Sequence, residues 1–281
     1  MRTRCAPSLP LQPVQTPVQY AIMRTFPTRL FAMNTVVLVA IALVFYAAAA
    51  QRVAAGLFRA EPPAPGLKTQ LLVLGAVALA FHTVVLYEGM VTAAGVNMGF
   101  FNALSLVAWV IVLLLLLSLP VKPLQNLGIL AMPMAAVALV LSVTFPSEHY
   151  LPQGEGFGLE LHIILAILAY SLLTIAAVQA LVVAYQDHQL RHKRPGGLTR
   201  ALPPLQTMEN LLFQLIGLGF FLLSLAVVSG MMFLEDMFAQ HVAHKTVLSM
   251  VAWVIFGTLL WGRRQFGWRG RVAIRWSLGG F

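Results

Sequence analysis

The stretch FFNALSLVAWVIVLLLLLSL, Phe100–Leu119, holds twenty residues without one charge. A helix rises about 1.5 Å per residue and the bilayer hydrocarbon is about 30 Å thick, so twenty such residues cross it once. The run lacks the two-residue alternation of a barrel strand. In lipid the backbone must satisfy its own hydrogen bonds, which leaves a helix. Six further stretches read the same way or nearly so: Met33–Ala50, Leu71–Tyr87, Leu127–Phe145, Leu161–Tyr185, Leu211–Leu234 and Val247–Trp261. The first, second and last of the seven are short and need flanking residues to cross. The expected fold is an all-α, polytopic membrane helix bundle.

Composition agrees. Of 281 residues, 59% are hydrophobic and only 10% charged, and the mean hydropathy is +0.84. Soluble domains carry about 25% charged residues. Disorder and an ordinary soluble enzyme are excluded. The single cysteine, Cys5, excludes an internal disulfide and a Cys-built zinc or iron–sulfur site within one chain. A net charge of +9 would suggest nucleic acid in a soluble protein. Here the distribution decides otherwise, and the expected environment is the lipid bilayer, with no nucleic-acid partner.

Odd-numbered loops hold Arg52, Arg59, Lys68, Lys122, Arg191, Lys193, Arg194, Arg200, Arg263, Arg264, Arg269 and Arg271. Even-numbered loops hold one basic residue, Lys245, against Glu88, Glu148, Glu155, Glu160, Glu235 and Asp236. Basic loops stay cytoplasmic, so the N-terminus is expected outside. Residues 1–32 contradict the pattern with Arg2, Arg4, Arg24 and Arg29. No apolar signal core follows Arg4, so this basic, proline-containing tail reads either as a mis-assigned start, with Met33 or Met23 as the true one, or as a genuine tail that is tolerated. Residues 33–281 form the membrane domain. At the other end, Val272–Phe281 offers ten residues, too few to cross. It either lies in the interface, anchored by Trp276, or begins an eighth span that is cut short; the second reading is preferred.

Chemistry inside the spans is sparse. No span carries a carboxylate, Lys or Arg at mid-depth, which disfavours an ion-coupled transporter. No P-loop, H-E-x-x-H or G-x-S-x-G motif is present, and no covalent catalytic machinery is visible. Histidine remains. His82 lies mid-span in the second helix and His162 at the outer end of the fifth, after Glu160. His149, His241 and His244 fall in outer loops, and His188 and His192 in a basic loop that reads as solvated. A buried neutral imidazole persists when both nitrogens are used, either by hydrogen bonds to a neighbouring helix or by ligating haem iron. Asn102, Ser105, Ser171, Ser224, Ser229, Gly230 and Ser249 read first as helix-packing residues. Trp109 and Trp253 read as core residues, and Trp261 as an interfacial anchor.

The stretches Leu161–Ser171, Ser229-Gly230 followed by His244–Trp253, Leu260-Trp261-Gly262 through Gly267-Trp268-Arg269-Gly270-Arg271, and Asn102–Leu106 stand out together. They resemble the cytochrome c assembly family of haem-handling membrane proteins, the CcsA and CcmC type, and within it a YpjD-like branch. The resemblance runs from about Leu71 to the end. It implies haem handled at the outer face by external histidines beside a Trp-rich loop, and a non-covalent haem b held by membrane histidines. Carried over, His162 stands at an external-histidine position, His82 is the candidate membrane histidine, and His244 could stand in as a ligand. His82 and His162 would be the iron ligands. Implied partners are haem and other cytochrome c maturation proteins, in the bacterial inner membrane. The sequence departs from the family where Glu235–His244 holds no tryptophan and where Trp261 replaces a second membrane histidine. A non-catalytic scaffold or accessory subunit that has lost haem is therefore the standing alternative, with a transporter third.

Overall fold

The computed structural model describes residues 17–58, 66–92, 95–150, 157–192, 202–233 and 243–281. Cys5, Arg59, Glu155, Lys193, Arg194, Arg200, Glu235, Asp236 and His241 lie outside them. His244 falls on a described helix, but its side chain is not described.

Eight α-helices occur among the described residues: α1 (Pro17–Phe58), α2 (Leu67–Met90), α3 (Phe100–Ser118), α4 (Gly128–Thr144), α5 (Phe157–Arg191), α6 (Leu205–Phe233), α7 (Ala243–Phe266) and α8 (Arg271–Gly280). The first seven contain stretches long and apolar enough to cross a membrane. The chain is an all-α polytopic membrane bundle. The short spans do recruit their flanks: α2 begins at Leu67 and α7 runs from Ala243 to Phe266. Helix α1 starts at Pro17, inside the stretch read as a tail.

The spans alternate in direction, giving two ends. The acidic end carries the α2–α3 and α4–α5 connections with Glu88 and Glu148. The basic end carries Lys122, Arg191, Arg263 and Arg271. Helices α1 to α4 pack mutually, as do α5 to α8, and α3 against α5 joins the groups. One apolar core spans α1 to α5 and reaches Met208, Leu211 and Ile274, while a second lies among α5, α6 and α7. Lipid is as apolar as leucine, so close packing rather than water exclusion must hold such helices together. Gly219 of α6 illustrates it: a Cβ there would sit 2.8 Å from Leu173 of α5, so the glycine sets the approach.

The acidic end is stitched by backbone. A two-residue hairpin pairs β1 (Val91–Thr92) with β2 (Gly95–Val96), an element the hydropathy reading does not contain. Asn97 then bridges to Tyr150, and Met98 N donates to His149 O at 2.7 Å. Asn97 Oδ1 accepts from the N–H groups of Gly99 and His149, both at 3.0 Å. Asn102 Nδ2 donates to Gly89 O at 3.1 Å, so this asparagine fastens the start of α3 to the end of α2.

The basic end explains the glycine-tryptophan motif. Gly262 faces the Trp268 ring so closely that any Cβ would collide with it. Gly267 and Gly270 adopt φ of 64° and 55°, conformations that favour glycine. Gly270 N donates to Glu209 Oε1 at 2.7 Å, and Trp268 packs on Trp276. Glu209 is buried beneath this turn. Helix α8 then leaves Arg271 beside Asp187 and buries Ala273, Ile274 and Ser277 on one face. By Gly280 it lies against Ile255 and Phe256, well inside α7. Its ten residues therefore descend into the bundle over about 15 Å rather than lying flat in the interface. Trp276 faces a tryptophan in the turn and is not the lipid anchor of the interfacial reading.

Candidate functional site

His82 sits eight residues before the end of α2, about 12 Å from Met90 along the axis. It is fully buried. Tyr46 of α1 places its hydroxyl 2.9 Å from Nδ1, and Ser105 of α3 places Oγ 2.9 Å from Nε2. The Tyr46 ring meets the imidazole edge-on, with centroids 5.9 Å apart. A neutral imidazole has one N–H and one lone pair, so one hydroxyl accepts and the other donates. The triplet ties three helices together and leaves neither nitrogen open. Iron would reach His82 only by replacing one of the two hydroxyls.

His162 is built differently. It lies in the first turns of α5, half-buried against α6. Its Nδ1 is 2.9 Å from Ala226 O and 3.2 Å from Ser229 Oγ, and the Ser229 hydroxyl itself donates to Ala226 O. A carbonyl oxygen only accepts, so Nδ1 carries the proton and Nε2 the lone pair. Among the described residues, Nε2 has no hydrogen-bond partner. A metal-ligating histidine characteristically donates its other ring N–H to a carbonyl or carboxylate, which fixes tautomer and orientation. The donor set at His162 would suit an iron ligand through Nε2.

His82 and His162 are not brought together. The first belongs to the α1–α2–α3 packing and the second to the α5–α6 pair. His149 contributes its backbone to the acidic-end loops. His188 and His192 stack at the basic end of α5, with centroids 4.1 Å apart. No three His, Cys, Asp or Glu side chains converge on a metal-sized centre among the described residues.

The small polar residues turn out to be partners rather than spacers alone. Ser105 serves His82, Ser229 serves His162, and Ser224 accepts from Trp253 Nε1 at 2.8 Å. Trp109 Nε1 donates to Thr83 Oγ1 at 2.9 Å, which pins that tryptophan to α2. Sequence reasoning missed Tyr46, since an aromatic residue in an apolar run reads as packing. The available signal was polarity: Tyr46, His82 and Ser105 each place a hydrogen-bonding group inside consecutive apolar spans.

Comparison with known proteins follows the same lines. A family profile described as "Cytochrome C assembly protein" matches residues 70–281. The chain is 29% identical over 246 residues to the inner membrane protein YpjD of Escherichia coli, covering 85% of this chain and 90% of that one. A 28.8 kDa protein of Azospirillum brasilense is 37% identical over 122 residues, covering 43% of this chain and 45% of its own. The cytochrome c biogenesis protein CcsA of Picosynechococcus is 26% identical over 102 residues, covering 36% of this chain and 30% of its own. No solved structure matches the chain.

Proposed function

The chain belongs to the cytochrome c assembly protein family, within a YpjD-like branch, and from that premise we propose that it binds haem at its acidic end as an assembly or regulatory factor for c-type cytochromes. The observation that carries the reading is His162: Nδ1–H is held by the Ala226 carbonyl while Nε2 is left with its lone pair. Haem b, bound without a covalent link, would supply an iron that accepts an imidazole ligand. His162 would bind and orient that group, with Ser229 steadying the ring. His244 lies at the start of α7, at the same end of the bundle, and is the candidate second ligand. His82 is a ligand only at the cost of a hydroxyl bond, so His162 takes precedence. On the same reading the acidic end faces outward, since the opposite end holds the arginines and lysines expected on the cytoplasmic side. The chain is then a multi-pass inner-membrane protein whose partners are haem and other cytochrome c maturation proteins.

The test is an absorption spectrum of the purified chain with a haem extraction assay. A Soret band that shifts or disappears in His162→Ala supports the reading. Colourless protein from haem-replete cells would sink it.

A second reading is favoured by the saturated bonding of His82 and by Trp261 standing where the family has a second membrane histidine. In it, the fold serves as a scaffold or accessory subunit without haem. One stable membrane partner recovered in a colourless complex would support this alternative.

A further inference from the structure

We propose that the groove between α3, α5 and α6 at the basic end is a site for one anionic phospholipid, with an acyl chain in the groove and the phosphate on Lys122. This inference does not depend on haem binding. The groove has a volume of about 330 Å³. Leu114 and Leu117 of α3 form one wall, Leu215 and Leu218 of α6 the other, and Leu172 and Ile175 of α5 line the space between them. Such a slot on a membrane-facing surface matches a hydrocarbon chain in polarity.

The polar end of the groove carries the specificity. Lys122 Nζ spans it by donating to Gln214 Oε1 at 2.7 Å. Among the described residues that neutral amide is its only partner, and no carboxylate compensates the charge. One turn earlier on α6, Asn210 Oδ1 accepts from Arg263 Nη2 at 3.3 Å, and the Arg263 guanidinium lies over Phe213, 4.4 Å from the ring centre. Two cations thus flank one helical turn at the depth where the apolar slot ends. An ammonium at such a level reaches out of the hydrocarbon toward a charged headgroup. A phosphate there would be met by Lys122 directly and by the field of Arg263, while its chain runs down α5. A zwitterionic lipid fills the same slot, but its own cation opposes Lys122.

The experiment is native mass spectrometry of the full chain in detergent, titrated separately with dioleoyl phosphatidylglycerol and dioleoyl phosphatidylcholine. One bound phosphatidylglycerol should survive activation, retained over phosphatidylcholine by roughly fivefold, the discrimination one basic residue gives toward an anionic headgroup. Lys122→Gln should erase the preference and Lys122→Arg should keep it. Leu215→Trp, which fills the slot, should lower retention of both lipids. Arg264→Gln, a cation loss away from the groove, should leave the preference intact. Equal retention of the two lipids by the unaltered chain would overturn the site. So would a preference that survives Lys122→Gln or is abolished equally by Arg264→Gln, or a retention of both lipids that Leu215→Trp leaves untouched.

Discussion

The hydroxyl of Tyr46 lies 2.9 Å from Nδ1 of His82, across 36 residues of chain and from one membrane helix to the next. With Ser105 on the opposite nitrogen, the imidazole has no open position. A histidine that looks functional in isolation is thereby a three-helix joint. It also separates the two histidines singled out from the sequence, because His162 keeps a lone pair that His82 has already committed.

Tyr46→Phe should therefore lower stability without lowering haem content. Hydrogen bonds between membrane helices contribute about 0.5–2 kcal/mol each, so Tyr46→Phe and Ser105→Ala should each cost that order. His82→Ala should cost more, since it removes both bonds and leaves a cavity in a buried position. Thermal unfolding in micelles measures the losses, and the Tyr46→Phe/Ser105→Ala double variant should be non-additive because the two hydroxyls share one ring. Were His82 the iron ligand, Tyr46→Phe would instead free Nδ1 and raise haem occupancy.

At the acidic end, Ser229→Ala should retain haem while His162→Ala loses it. The Nδ1 proton of His162 has its shorter bond to the Ala226 carbonyl, 2.9 Å against 3.2 Å to Ser229 Oγ, and the carbonyl survives the serine change. Soret intensity per mole of protein, read in parallel for the two variants, is the measurement. Equal loss in both would mean that the hydroxyl, and not the carbonyl, orients the ring.

How much of this was legible follows from what each feature depends on. The spans were readable because hydrocarbon thickness imposes a length of apolar chain that needs no knowledge of neighbours, as Phe100–Leu119 shows. Their ends were not, because Lys68 and Gln70 can lie along a helix as it enters the interface, so hydropathy stops before the helix does. His82 and His162 stood out as imidazoles in apolar surroundings. Their difference did not, because it rests on which faces of α1, α3 and α6 turn inward, a matter of helix rotation. The hairpin at Val91–Val96 and the burial of Glu209 depend on contacts between distant loops, which no local pattern records.

Gly262→Ala should damage the basic end far more than its size suggests. The added methyl would enter the Trp268 ring, which is held between Phe266 and Trp276 and cannot move freely. Overpacking of that kind costs about 1–3 kcal/mol. A lowered melting temperature with unchanged helical content would be the expected result, and Gly56→Ala, where a Cβ meets nothing within 4 Å, is the control.

By contrast, Arg191→Gln should cost less than about 1 kcal/mol, because its guanidinium is half-exposed and the buried Asp187 carboxylate it meets at 2.9 Å keeps Arg271 at 3.7 Å as a second cation. Thermal melts in low and high salt should be nearly indistinguishable from those of the unaltered chain.

Glu209 is the sharper test of how α8 is held. Its Oε1 accepts the backbone N–H of Gly270, the residue that turns the chain from α7 into α8, and it does so from a buried position. Glu209→Gln keeps a carbonyl-type oxygen there and should be mild. Glu209→Ala removes the acceptor and strands a backbone donor, at a cost of about 1–3 kcal/mol. That loss should be local, since α8 is otherwise held by one buried face and by Arg271 at 3.7 Å from Asp187. Hydrogen exchange followed by mass spectrometry should show faster exchange across Trp268–Gly280 in Glu209→Ala, with α1 to α4 unaffected. Uniformly faster exchange along the chain would mean that Glu209 supports the whole bundle and not this one turn.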